Sequence, residues 1–176
     1  MKIAIASDHA GYRLKEDIKL LLRELGHEVR DFGTHSGDPV DYPDFIAPAA
    51  EAVSRGECEQ GIVLGGSGNG EAMVANKVPG IRCALCHDVT TARLARAHNN
   101  ANILALGQRI VGSEVARDVV RAWLETPFDG GRHERRLKKL AAVEGKMSAT
   151  RERGIPHAGA AGSGRSAGTR KGRRRP

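Results

Sequence analysis

Residues 61–77, Gly61-Ile-Val-Leu-Gly-Gly-Ser-Gly-Asn-Gly-Glu-Ala-Met-Val-Ala-Asn-Lys77, decide the fold. The apolar run Ile62 to Leu64 is too short for a buried helix and reads as a buried strand. It empties into four glycines within six residues (Gly65, Gly66, Gly68 and Gly70), interleaved with Ser67 and Asn69. A helical pattern over residues 70–77 follows. A strand, a glycine-rich turn and a helix in that order let backbone N–H groups converge at a helix N-terminus, where negative charge is favoured. The first turn of this helix nevertheless carries a carboxylate, Glu71. An acid beside an anion-stabilising turn suits proton abstraction next to a developing oxyanion better than it suits holding a static polyphosphate.

On either side of this unit, apolar strands alternate with amphipathic helical stretches. Strands are expected near residues 3–6, 27–32, 61–64, 82–86 and 102–106. Helices are expected near 11–25, 45–54, 70–77, 89–98, 113–124 and 132–146. Ser113 is placed to cap the fifth helix, with Glu114 in its first turn. Strand–helix alternation implies right-handed βαβ units and a parallel sheet covered on both faces. The expected architecture is α/β, a Rossmann-like three-layer sandwich around a five-stranded parallel sheet. Ligands of such folds gather outside the carboxyl ends of the strands. The polar residues at those positions are Ser7-Asp8-His9-Ala10-Gly11, Ser67 to Glu71, His87-Asp88 and Gly107-Gln108-Arg109.

Charge divides the 176 residues into two parts. Residues 1–147 balance 20 Lys and Arg against 20 Asp and Glu. Residues 148–176 hold eight basic residues against Glu152 alone, so the net +7 belongs to this segment. Residues 1–147 are expected to form the functional domain. The remainder, rich in Gly, Ala, Ser and Arg without periodicity, is expected to be a disordered basic tail. Such a tail would bring at most weak, salt-sensitive affinity for nucleic acid. No apolar run approaches the ~20 residues that span a bilayer. The strand pattern begins at Lys2 with no signal-like segment before it, so the expectation is a cytoplasmic protein without a membrane partner.

Each candidate constellation has a plain structural alternative. Asp8-His9 is either an Asx turn or part of the site. Cys83-Ala-Leu-Cys86 has redox spacing, but strand residues three apart face opposite sides, so buried structural thiols are expected; with Cys58 the three thiols form no disulfide framework. His98 closes a helix, where the dipole alone would favour a cation. Arg132 and Arg136 share one helical face, either as a solvated basic surface or as a clamp for a phosphate. The glycine spacing departs from the dinucleotide fingerprint, and Gly-Lys-Ser/Thr of a P-loop is absent.

Taken together, several stretches resemble the type B ribose-5-phosphate isomerases, a family that also includes galactose-6-phosphate and allose-6-phosphate isomerases. They are Ser7-Asp8-His9-Ala10-Gly11, Asp41-Tyr42-Pro43-Asp44, Gly66-Ser67-Gly68-Asn69-Gly70, Ala75-Asn76-Lys77, His98-Asn99-Asn100-Ala101-Asn102, Leu106-Gly107-Gln108-Arg109 and Gly130-Gly131-Arg132-His133-Glu134-Arg135-Arg136. The resemblance implies aldose–ketose isomerisation of a sugar phosphate through ring opening and a cis-enediolate, without metal or cofactor. Asp8 and His98 would assist ring opening. Ser67 with the amides of Gly66, Gly68, Asn69 and Gly70 would hold the enediolate oxygen, and Asn99 would contact the substrate. His9, Arg109, Arg132 and Arg136 would bind the phosphate, and Tyr42 would line the pocket. Many members carry a cysteine base two residues before the Ser/Thr of the glycine loop. This chain has Gly65 there, and the resemblance to the branch lacking that cysteine makes Glu71 the base. Members are homodimers, some paired into tetramers, with sites shared between subunits. The hexose-6-phosphate isomerases are the nearest alternative, and a non-catalytic phosphosugar- or nucleotide-binding module is the alternative from another class.

Overall fold

The computed structural model describes residues 1–152. Its element order is β1 (Lys2–Ser7), α1 (Tyr12–Glu24), β2 (Glu28–Asp31), α2 (Pro43–Ser54), β3 (Gln60–Gly65), α3 (Asn69–Ala75), β4 (Cys83–Leu85), α4 (Val89–Asn99), β5 (Ile103–Gly107), α5 (Ser113–Glu125) and α6 (Arg132–Glu152). The five strands form one sheet in the order β2-β1-β3-β5-β4, every pair parallel. This is the expected three-layer α/β arrangement.

Strand alternation divides the interior into two cores. Ile3, Ile5, Ile62, Leu64, Leu104 and Leu106 face one side, where they meet Leu14, Ile18 and Leu22 of α1 and Val119, Val120 and Trp123 of α5. Ala4, Ala6, Val63 and Ala105 face the other, against Ile46, Ala49, Ala50 and Val53 of α2 and Ala75 of α3. The alternation of strand residues between the two faces follows the two-residue period of a strand. Within the first core Trp123 is fully buried and its indole N–H donates to Gln60 Oε1 at 2.7 Å, satisfying the polar tip of a large apolar side chain.

Because α1 covers one face and α2 the other, the chain leaves β1 towards β2 and returns to the opposite side of β1 at β3. The crevice between the carboxyl ends of β1 and β3 is therefore a topological switch point, the usual ligand position of open α/β sheets.

Local boundaries differ from expectation in three places. Ser113 is the first helical residue of α5 rather than its cap; Gly112 is the N-cap and no side chain bonds the free amides there. Helix α3 is the seven-residue Asn69–Ala75, starting one residue earlier and ending two earlier than the pattern suggests. Helix α6 continues to Glu152, past residue 146 where its apolar period fades, because α-helix propagation needs no further burial once nucleated. The tail expected to be disordered starts at residue 148; residues 148–152 are instead the end of α6, and residues 153–176 lie outside the described residues.

Candidate active site

Backbone conformation opens the site. Gly68, the N-cap of α3, sits at φ 81°, a left-handed conformation that glycine adopts without penalty. That turn sends the chain from β3 into α3 and aims the first turn of the helix back at the strand end. Helix α3 is too short for much of a macrodipole, so the polar character of the loop comes from its individual amides and from Ser67. Ser67 Oγ accepts from Asn69 N–H at 3.3 Å and from Asn69 Nδ2 at 3.2 Å. With its lone pairs so engaged, its O–H remains available to donate.

Glu71 is 3% exposed, and its carboxylate fills the space where a side chain of residue 65 would stand. Burial pushes its pKa up; its own backbone N–H pulls against that, and the charge of Asp8 adds to the rise. Asp8 lies at the carboxyl end of β1, with its N–H on Leu64 O at 3.2 Å and its Oδ1 accepting from Gly11 N–H at 2.9 Å. Two carboxylates thus stand at the switch point, the Asp8 carboxylate anchored to a backbone amide and Glu71 held in a drier place.

Around them the neighbouring loops converge. His9 Nδ1 accepts from Val40 N–H at 3.2 Å, which leaves Nε2 to carry the proton of a neutral ring. The Tyr42 ring lies 2.9 Å from where a Cβ on Gly70 would be, so it is seated over that glycine. Arg109 follows β5; its N–H donates to Gly66 O at 2.9 Å and its guanidinium lies over Gly66, 3.4 Å from the Cβ position. Gln108 ties the loops together, its N–H on Gly65 O at 2.9 Å and its Oε1 accepting from Leu14 N–H at 2.8 Å. Asp8, His9, Tyr42, Ser67, Glu71 and Arg109 are therefore brought together by the ends of β1, β3 and β5 and the start of α2.

A second cluster forms at the end of α4. His98 and His133 stack with centroids 4.4 Å apart and planes 6° from parallel, and Asp129 Oδ2 is 3.8 Å from His98 Nε2. The chain around it is tightly held: Asp129 N–H donates to Ala97 O at 2.9 Å, and Asn100 adopts a left-handed φ of 41°. Arg82 Nη2 donates to Asn100 O at 2.7 Å and its Nε to Asn99 O at 3.1 Å, neutralising the carbonyl end of α4. Arg132 and Arg136 are exposed beside His133. Burial, followed by the positive neighbours His98, Arg132 and Arg136, pushes the His133 pKa down. The two rings and Asp129 place three potential metal-ligand atoms within 4.8 Å of one another. Parallel imidazoles point their in-plane lone pairs side by side rather than at one point, and Arg132 Nε–H is directed at His133 Nε2 at 3.4 Å. A cation is poorly served there.

Among the described residues, no hydrogen bond or ion pair joins this second cluster to the first. His98, Asn99, Arg132 and Arg136 are assembled with each other and not with Glu71. Sequence reading missed Asp129 and the stacking of His133, although His133 lies in the quoted stretch Gly130 to Arg136.

The thiols face the two cores. Cys58 and Cys86 are buried; Cys83 faces the α2–α3 core and Cys86 the α1–α5 core, as strand alternation requires. Burial, with Cys86 and Glu71 nearby, drives the Cys83 pKa far up, and burial pushes Cys86 up to about 11. Both remain protonated at neutral pH and are poor bases.

The chain is similar to known proteins over most of its length. Residues 3–140 match the family described as Ribose/Galactose Isomerase. Ribose-5-phosphate isomerase B of Escherichia coli is 44% identical over 143 residues, 81% of this chain and 96% of that protein. Among solved structures, ribose-5-phosphate isomerase B of Clostridium thermocellum is 54% identical with a TM-score of 0.83, covering 84% of this chain and 99% of the other. The Mycoplasma genitalium enzyme, solved with bound ribulose-5-phosphate, is 40% identical with a TM-score of 0.79 and covers 82% of this chain and 97% of its own. With a match that spans most of the chain in sequence and in structure, this protein belongs to the ribose/galactose isomerase family.

Proposed function

We propose that this protein interconverts ribose 5-phosphate and ribulose 5-phosphate by moving a proton between C1 and C2 through a cis-enediolate. The observation that carries the reading is a buried glutamate, with its pKa raised, directly after the glycine-rich loop that carries Ser67. A module that only holds anions gains nothing from a carboxylate in that place. Glu71 acts as the base, and Ser67 with the loop amides holds the oxygen that becomes negative. Asp8 and His98 assist ring opening, Asn99 contacts the sugar, and Tyr42 closes the pocket wall. His9, Arg109, Arg132 and Arg136 hold the phosphate. This chemistry calls for neither metal nor cofactor.

The active unit is a homodimer, in which the His98–Arg132–Arg136 cluster of one chain completes the Glu71 cluster of the other. A groove of about 600 Å³ between α6 and the α3–β4 segment, with Leu140, Val143 and Met147 exposed on α6, supports a partner packing there. Residues 1–147 carry the activity. Among the described residues no helix is long and apolar enough to cross a membrane, and a cytoplasmic enzyme is the location we propose.

Steady-state kinetics on ribose 5-phosphate, allose 6-phosphate and galactose 6-phosphate test the reading. The pentose should give the highest kcat/KM; turnover of a hexose phosphate alone would assign the site to the longer sugars. Arg132→Ala and Arg136→Ala should each raise KM by about 10- to 100-fold, the value of one charge-assisted contact. Arg→Lys should restore only part of that loss if the contact is bidentate. Unchanged KM in both Ala variants would return this face to solvent. Ending the chain after Met147 should leave kcat/KM within about twofold, a margin of roughly 0.4 kcal/mol.

A further inference from the structure

The four glycines of the loop have different reasons for being glycine. Gly68 needs its positive φ, but Gly65 is the last residue of β3, is not among the positive-φ glycines, and is paired in register with Gly107. Its backbone would accept any residue. The constraint is spatial: the three atoms nearest to a Cβ built on Gly65 are Oε1, Cδ and Oε2 of Glu71, all closer than real Cβ atoms come to anything. The Glu71 carboxyl group is thus the nearest neighbour of that space. The carboxylate is therefore supported from behind by a strand end rather than by solvent.

Extending the isomerase reading above, we infer that Gly65 is a positioning residue: its missing side chain is the seat of the Glu71 carboxylate, and any side chain at position 65 expels the base from its working place. Residues 65 and 71 are then coupled, since only one of them can send atoms into this seat. The seat also accounts for the burial of Glu71, because a carboxylate pushed out of it has the open site as its destination.

A four-protein cycle tests this: wild type, Gly65→Ala, Glu71→Asp and the double variant. Kinetics on ribose 5-phosphate, thermal melting and carbon NMR titration of the Glu71 carboxyl are the readouts. Gly65→Ala should lower kcat about 100-fold, the usual penalty for misplacing a reacting group by ~1 Å, with KM within about threefold. Its Glu71 titration should move down, towards an exposed glutamate. Aspartate stops one methylene short of the seat, so in the E71D background the same Gly65→Ala change should cost less than about threefold in kcat and leave the melting temperature in place. That background decides the matter even if Gly65→Ala alone folds poorly. Equal losses in both backgrounds, or a Gly65→Ala enzyme with unchanged kcat and an unmoved Glu71 titration, would overturn the inference. A wild-type protein inactive on all three sugar phosphates, with the Glu71 titration still displaced by Gly65→Ala, would sink the isomerase reading and leave the seat standing.

Discussion

Glu71→Gln should lower kcat by about 10²–10⁴, the contribution of a positioned general base, with KM for ribose 5-phosphate close to that of the wild type. Glutamine keeps the shape and length of the side chain and so keeps the seat beside Gly65 filled. It cannot accept a proton. Exchange of the substrate C2 proton with deuterated solvent should fall in parallel. The pH dependence has a definite sign. Burial, reinforced by the charge of Asp8, raises the Glu71 pKa, and the base must be ionised, so kcat/KM should fall as pH drops through a value above the usual glutamate range of about 4.3. Stability should move the other way. A carboxyl whose pKa is higher folded than unfolded favours the native state when protonated, and that advantage is lost as pH rises through the interval between the two values. At neutral pH the wild type bears the cost of the buried charge and the amide variant does not. Glu71→Gln should therefore melt at or above the wild-type temperature, which separates lost chemistry from lost folding. Near-wild-type turnover by this variant would place the base elsewhere.

Lys15→Met should destabilise the protein by about 3 kcal/mol, the lower end of the range for removing one partner of a buried ion pair. For a domain of this size that is a fall in melting temperature of about 6–12 °C. The Lys15 ammonium has no solvent exposure, and it donates to Asp31 Oδ1 at 2.8 Å, to Asp31 Oδ2 at 2.9 Å and to Thr34 O at 2.7 Å. Methionine keeps the unbranched stem as far as Cε and leaves the Thr34 carbonyl buried without this donor. Asp31 keeps Lys19 at 2.6 Å, which is why the lower end of the range applies. Burial works against the Asp31 charge, yet the hydrogen bonds from Lys15, Lys19 and the Gly33 amide outweigh it and hold its pKa down. A depressed carboxylate pKa stabilises the fold above the unfolded value and ceases to do so as pH falls through the folded one. The gap in melting temperature between wild type and Lys15→Met should therefore narrow below about pH 4. The same network holds residues 33 and 34 against β1, where Ser7 N–H donates to Gly33 O at 2.7 Å. It thus stiffens the start of the loop that supplies Val40 to His9 and Tyr42 to the pocket wall. A gap that stayed constant down to pH 3 would mean the lysine acts by packing alone.

What the sequence alone determined is what local pattern can carry. Two-residue and 3.6-residue periods separated five strands from six helices, and their alternation implied the parallel sheet and its two covered faces. The carboxyl ends of β1, β3 and β5 followed, and with them the positions of Asp8, Ser67, Glu71 and Arg109, because a glycine-rich turn between a strand and a helix has few other meanings. The tertiary structure alone decided the rest. Strand order places β5 between β3 and β4, a pairing that no local period encodes. Lys15 reads in the sequence as one more polar residue of a helix, and only the approach of Asp31 and Thr34 makes its complete burial tolerable. The stacking of His98 on His133 joins residues on two separate helices. Gly65 is the sharpest case: its glycine is demanded by no turn, only by where the folded chain sends the carboxylate of a residue on the following helix. Periodicity fixes which face a side chain takes; close packing decides which other side chain must be missing for it to fit.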